Sequence, residues 1–135
     1  MKNNFSSNWT EVIFLFDKEK ETMNEFQAIG RLVYDPKLEK DKYGNYMCKF
    51  TLSIDKNLGT QKKEKYIKEN KPTCDFVNFI AYGDQARLLS KYTEKGNRVY
   101  SKGRLQIRSF DVEEDKKYIA EVYVSGIEII DWAKS

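Results

Sequence analysis

The sequence predicts an all-β fold, a five-stranded Greek-key barrel with one helix between the third and fourth strands. Three observations predict it. Apolar residues recur with a period of two along most of the chain, the spacing that turns successive side chains to opposite faces of a strand. Turn residues divide that pattern into five runs. Between the third and fourth runs lies one stretch whose apolar spacing suits a helix.

The first strand sets Phe26, Ala28, Gly30 and Leu32 against Gln27, Ile29, Arg31 and Val33, and Asp35-Pro36 ends it. A turn at Tyr43-Gly44-Asn45 leads to the second, where Tyr46, Cys48, Phe50, Leu52 and Ile54 oppose Met47, Lys49, Thr51 and Ser53. Residues 56–71 read as a long polar excursion, a basic hairpin tip with a turn at Asn57-Leu58-Gly59. The third strand runs from Cys74 to Tyr82, with Val77, Phe79 and Ala81 inward and Phe76, Asn78, Ile80 and Tyr82 on the other face. In the helix, Asp84 stands as N-cap, Leu88, Leu89 and Tyr92 give an apolar side, and Gly96 follows as a C′ residue. The fourth strand spans Arg98 to Phe110 and the fifth Lys117 to Ile129, joined by an acidic turn from Asp111 to Asp115. Three strands, a helix and two more strands is the order of the OB-fold; an α+β sandwich with one helix shares the same periodicity.

Composition narrows the chemistry. The chain has no histidine, so neither a Ser-His-Asp or Cys-His nucleophile nor a His-liganded metal centre can be assembled. Cys48 and Cys74 are too few for a zinc ribbon or a disulfide framework, and Cys48 alternates with core apolar residues. The acidic run Asp111, Glu113, Glu114 and Asp115 has the ordinary content of a solvated turn, and the seven glycines are scattered singly rather than gathered in a phosphate loop. The expectation is a protein that is not an enzyme, with no catalytic residue, cofactor or metal. No apolar run approaches the ~20 residues of a membrane span, and a reducing, cytoplasmic setting is the default.

Net charge is only +3, so its distribution decides the partner. On the fourth strand, Val99, Ser101, Gly103, Leu105 and Ile107 form a small or apolar face suited to a barrel interior. The opposite face reads Arg98, Tyr100, Lys102, Arg104, Gln106, Arg108, Phe110, with four cations, two aromatics and no anion. Solvated strand faces usually intersperse both signs. A row of cations punctuated by rings suits a single-stranded nucleic acid instead, because the cations neutralise phosphates and the rings stack on bases. The excursion adds Lys56, Lys62, Lys63, Lys65, Lys68 and Lys71 against Glu64 and Glu69, together with Tyr66. Beside an aromatic groove it becomes a clamp on a flexible strand. Phe76 and Tyr82 share the outward face of the third strand.

From Met23 to about Glu128 the chain resembles the bacterial and phage single-stranded DNA-binding proteins. The matching pieces are Met23-Asn24, Ile29-Gly30-Arg31-Leu32, Asp35-Pro36, Phe50-Thr51-Leu52, Phe76-Val77-Asn78 and Lys95-Gly96. Val99, Gly103-Arg104-Leu105-Gln106-Ile107-Arg108-Ser109-Phe110 and Glu121-Val122 complete the series. The resemblance implies an OB-fold homo-oligomer, a tetramer before a dimer, that coats single-stranded DNA without sequence preference in replication, recombination, repair or DNA transfer. It implies stacking positions at Leu58, Phe76, Tyr82 and Phe110, of which Leu58 departs from the aromatic of many members. It implies phosphate contacts at Arg31, Lys49, Lys56, Arg104 and Arg108. An accessory primosomal-type protein or an RNA-binding OB module is the alternative.

Three segments follow from this reading: residues 1–22 as an extension, 23–131 as the OB-fold domain, and 132–135 as a short C-terminus. The extension carries three lysines against four acids, which leaves 21 cations against 17 anions from Met23 onward. It reads either as a genuine addition or as sequence upstream of a translation start at Met23. The end at Asp131-Trp132-Ala133-Lys134-Ser135 lacks the acidic tail of cellular members, so recruitment of repair enzymes is not expected and a phage or mobile-element role is.

Overall fold

The computed structural model describes residues 22–133. The expectations for residues 1–21 and for the last two residues lie outside it. Six strands form one sheet: β1 (Phe26–Leu32), β2 (Glu39–Lys40), β3 (Tyr46–Asp55), β4 (Cys74–Tyr82), β5 (Arg98–Val112) and β6 (Asp115–Ile129). Helix α1 (Thr60–Lys68) lies between β3 and β4, and α2 (Asp84–Tyr92) between β4 and β5. The strand order is β1-β5-β6-β4-β3-β2, and a further antiparallel pairing of β1 with β3 closes the sheet. β4 and β6 run parallel, whereas the other pairs are antiparallel. This is the closed OB barrel, with β2 a two-residue addition to its rim.

The interior follows the predicted alternation. Leu32, Cys48, Phe50, Leu52, Phe79, Ala81, Val99 and Val122 are buried together, and α2 adds Ala86 and Leu89. Phe50 and Phe79 stack across β3 and β4, with ring centroids 5.1 Å apart. Each fully buried side chain of this size stabilises the fold by about 1.5–3 kcal/mol relative to exposure. Two glycines permit closure. A Cβ on Gly30 would lie 2.7 Å from the Ser53 carbonyl oxygen, and one on Gly103 would lie 2.1 Å from that of Tyr123. Beside Gly103, the β5–β6 register skips Ser125 in a bulge, which tightens the local twist.

The motif residues tie the barrel's ends together. The Asn24 side chain donates to the Leu105 carbonyl (2.7 Å) and accepts from the Leu105 amide (3.0 Å). Asp35 accepts the Lys95 backbone N–H at 2.7 Å, and the Gly96 N–H donates to the Leu32 carbonyl at 2.8 Å.

Several local expectations are corrected. Residues 56–71 are not a polar loop throughout, because Thr60–Lys68 form a helix that buries none of its residues. Asp84 is not the N-cap; Gly83 is, at φ 65°, and the Asp84 carboxylate accepts from Arg87 at 2.9 Å. Gly96 does not cap α2, which ends at Thr93, whose hydroxyl bonds the Leu89 carbonyl at 2.6 Å; Gly96 lies in the following turn at φ 92°. The acidic turn narrows to Glu113-Glu114, with Glu113 at φ 60°. Ile80 faces outward yet is buried, flanked across the sheet by Lys49 and Tyr123. Ile107 is 65% exposed instead of internal, because β5 and β6 run on past the barrel as a two-stranded arm.

Candidate nucleic-acid interface

The outer face of β3, β4, β6 and the middle of β5 forms one continuous surface. Register places Lys49, Ile80, Tyr123 and Arg104 in one row across the four strands, and Thr51, Asn78, Glu121 and Gln106 in the next. At 4.7–4.9 Å between strands, each row spans about 14 Å. Phe76 and Tyr82 flank these rows near the two ends of β4, roughly 20 Å apart along the strand. Their rings are 61% and 43% exposed, and Phe110 on the β5–β6 arm is 40% exposed. Partial burial, then the neighbouring Tyr123, pushes the Tyr82 phenol above its ordinary value, so the ring stays neutral at neutral pH.

The cations divide into held and unheld groups. Arg108 donates from Nε to the Glu121 carboxylate at 2.9 Å, an anion on β6 that the β5 pattern alone does not reveal. Lys56 bonds Asp75 at 2.6 Å, and that bond raises its ammonium above the ordinary lysine value. Arg98 grips Asp131 at 2.9 and 3.1 Å, and Arg31 approaches the same carboxylate at 3.9 Å while donating to the Gly96 carbonyl. Among the described residues no ion pair engages Lys49, Lys62, Lys63, Lys65, Lys102 or Arg104.

The fourth-strand stripe runs along one face of β5, but its two halves have different neighbours. Arg98, Tyr100 and Lys102 lie alongside β1, opposite Arg31, Ile29 and Gln27, and the Tyr100 hydroxyl donates to Gln27 at 2.7 Å. That half also pairs with β6 on its other edge, where Tyr100 and Lys102 oppose Glu128 and Gly126; Arg104, Arg108 and Phe110 lie alongside β6 alone, opposite Tyr123, Ile119 and Lys117. Leu58, in the predicted turn after the second strand, is half-buried beyond β3. Helix α1 carries Lys62, Lys65 and Lys68 three residues apart, hence along one side, and Tyr66 is half-buried under Lys71, whose ammonium stands 5.6 Å from the ring centre.

Sequence reasoning did not single out Tyr123 and Glu121 on β6, nor a linked trio at the β3–β4 floor. Thr51 donates to Asn78 Oδ1 at 2.8 Å and lies 3.3 Å from the Tyr34 hydroxyl, so Tyr34 joins the β3–β4 floor from the chain after β1. An exposed aromatic beside Asp35-Pro36 was the available signal. Among the described residues no cluster of three metal-ligating side chains occurs, and no helix is long and apolar enough to cross a membrane.

Comparison with known proteins agrees with this architecture. The model of the single-strand binding protein family matches residues 23–130. The chain is 32% identical to single-stranded DNA-binding protein 2 of Clostridium acetobutylicum over 114 residues, covering 83% of this chain and 80% of that protein. It is 29% identical to single-stranded DNA-binding protein 1 of Staphylococcus aureus over 110 residues, covering 81% of this chain and 66% of that protein. The fold is similar to that of the Plasmodium falciparum SSB in complex with ssDNA, with TM-score 0.65 and 22% identity, over 82% of this chain and 97% of that one. With the family model spanning residues 23–130 and a relative 32% identical over most of both chains, the chain belongs to the single-strand binding protein family.

Proposed function

We propose that this protein binds and coats single-stranded DNA without reading its sequence, through the OB-fold domain at residues 23–131. The observation that carries the reading is the set of exposed rings Phe76, Tyr82 and Phe110, with Lys49 and Arg104, which form no ion pair among the described residues, on the same outer surface. Bases stack on the rings at about 1–3 kcal/mol each, and phosphates lie against the cations. Arg108 joins when a phosphate displaces Glu121, and Lys56 when one displaces Asp75. Lys62, Lys63, Lys65 and Tyr66 on α1 flank the strand beyond β3. Arg31 on β1, and Arg98, Tyr100 and Lys102 on the half of β5 between β1 and β6, extend the path for DNA that continues around the barrel.

The reading assigns no catalytic residue, cofactor or metal, and it places the protein in the cytoplasm with the DNA it coats. Self-association, to a tetramer before a dimer, belongs to the same reading, and light scattering measures it. The test of binding is a titration with poly(dT) at two salt concentrations, alongside a duplex and a matched RNA. Tight, salt-sensitive binding to the single strand is expected. Equal affinity for duplex and single strand would overturn the reading, and a clear preference for RNA would reassign it.

A further inference from the structure

We propose that the open cavity beside Tyr34 is an additional nucleotide subsite of the single-strand groove, in which Tyr34 stacks on a base and Lys37, Lys49 and Lys95 hold the adjoining phosphates. The inference rests on the binding reading above and extends it from Lys49 on β3 to Tyr34, Lys37 and Lys95, which lie outside the aromatic and basic pattern of the strands. The cavity measures about 600 Å³, and Tyr34, Lys37, Lys49 and Lys95 line it. That is the size of an ordinary small-ligand site. It continues onto the β3–β4 face, because Tyr34 and Lys49 also line the next cleft, together with Asn78, Ile80 and Glu121.

Tyr34 has the features of a platform. Its ring is 45% exposed, and its hydroxyl is tied to the sheet. Thr51 commits its proton to Asn78, so the Tyr34 hydroxyl donates to Thr51 and holds the ring against the floor. A ring fixed in this way loses little freedom when a base settles on it.

The charge is also suited to a phosphate. Three lysines face two acids, Asp35 and Glu39, and Asp35 is already engaged by the Lys95 backbone N–H. Among the described residues none of the three lysines is in an ion pair. The three come from separate parts of the chain, after β1, on β3 and after α2, so one helix or strand face does not account for their meeting. With leucine at position 58, the subsite supplies a ring at a different point along the groove.

The test uses the full chain and oligo(dT) of about 16 nucleotides, the upper end of the site size of one OB-fold. Tyr34→Ala should weaken binding about tenfold, or about 1.4 kcal/mol, with the salt slope unchanged, and Tyr34→Phe, which keeps the ring but not its tether to Thr51, should restore most of that loss. The double change Lys37→Gln with Lys95→Gln should lower the salt slope by about 1.4, at about 0.7 per phosphate contact. Photocrosslinking with 5-iodouracil in the oligonucleotide should label the tryptic peptide Leu32–Lys37, whose only aromatic residue is Tyr34. Wild-type binding with no effect of Tyr34→Ala and no label on that peptide would overturn the subsite while leaving the binding reading intact. Failure of the wild-type chain to bind oligo(dT) at all would overturn both.

Discussion

Phe76 and Phe79 stand three residues apart on β4, and truncating each should have opposite consequences. Phe79 is fully buried and stacks on Phe50 at 5.1 Å. Phe79→Ala leaves a cavity in the centre of the barrel and should cost about 3–5 kcal/mol of stability. At about 4 °C per kcal/mol for a domain of this size, the melting temperature should fall by roughly 12–20 °C. Phe76 is 61% exposed, so of the ~200 Å² of a phenylalanine only about 80 Å² is covered. At 25 cal/mol per Å² its truncation costs no more than about 2 kcal/mol of stability, an upper bound because the unfolded chain also buries some surface. Removing its stacking surface should weaken single-strand binding by about 1–3 kcal/mol, a factor of about 5–150. Thermal melts by circular dichroism and poly(dT) titration well below both transitions separate the two effects. If Phe76→Ala bound as tightly as wild type, the ring would not be a stacking platform. If it melted as low as Phe79→Ala, its exposure would have been misjudged.

Four other perturbations probe different parts of the molecule. Glu121→Gln frees Arg108 from its 2.9 Å partner and removes an anion from the groove; binding should strengthen because no carboxylate then competes with the phosphate, and unchanged affinity would place Arg108 outside the phosphate path. Gly103→Ala drives a methyl group into the Tyr123 carbonyl; it should cost at least the 1–3 kcal/mol typical of overpacking, read by denaturant titration, and wild-type stability would contradict the tight β5–β6 approach. The bonds from Arg98 hold the Asp131 carboxyl at about 2, below its ordinary 3.8. Its stabilising contribution is therefore complete above pH 3.8 and lost as pH falls through 2, and Asp131→Asn should flatten that part of the melting profile. Burial pushes the Cys48 thiol up to about 11; at pH 8 a thiol reagent should label half-buried Cys74 first and Cys48 only on unfolding, as peptide mapping would reveal.

Much of the barrel was legible because its strands obey one rule, inward apolar and outward polar, over runs long enough to count. Tyr46 to Ile54 and Arg98 to Leu105 illustrate it. What stayed hidden depended on partners distant in sequence. Ile80 sits on the predicted outer face, but alternation cannot say that Lys49 and Tyr123 flank it. The stripe looked free of anions because Asp131 and Glu121 reach Arg98 and Arg108 from 33 and 13 residues away. Ile107 kept the barrel's alternation beyond the point where there is a barrel to fill. Helix α1 escaped for the opposite reason. It buries nothing, so it leaves no apolar period, and its only signal was a run of strong helix formers between Gly59 and Pro72.

The position of β6 has a consequence for how the chain folds. It is the last strand in order, yet it lies between β5 and β4. Its pairing with β5 is local, across a two-residue turn, and can form within microseconds. Its parallel pairing with β4 joins residues such as Asn78 and Glu121, more than forty positions apart, and brings a much larger loop-closure cost. A nascent chain lacking β6 leaves the edges of both β4 and β5 open, and once the β5–β6 hairpin has formed the edges of β4 and β6 stay open until the two pair, so two templates for unwanted pairing persist until the barrel closes. The docking of β6 is thus the step at which a sticky intermediate becomes a closed domain, and its speed sets how long the new chain is vulnerable to aggregation.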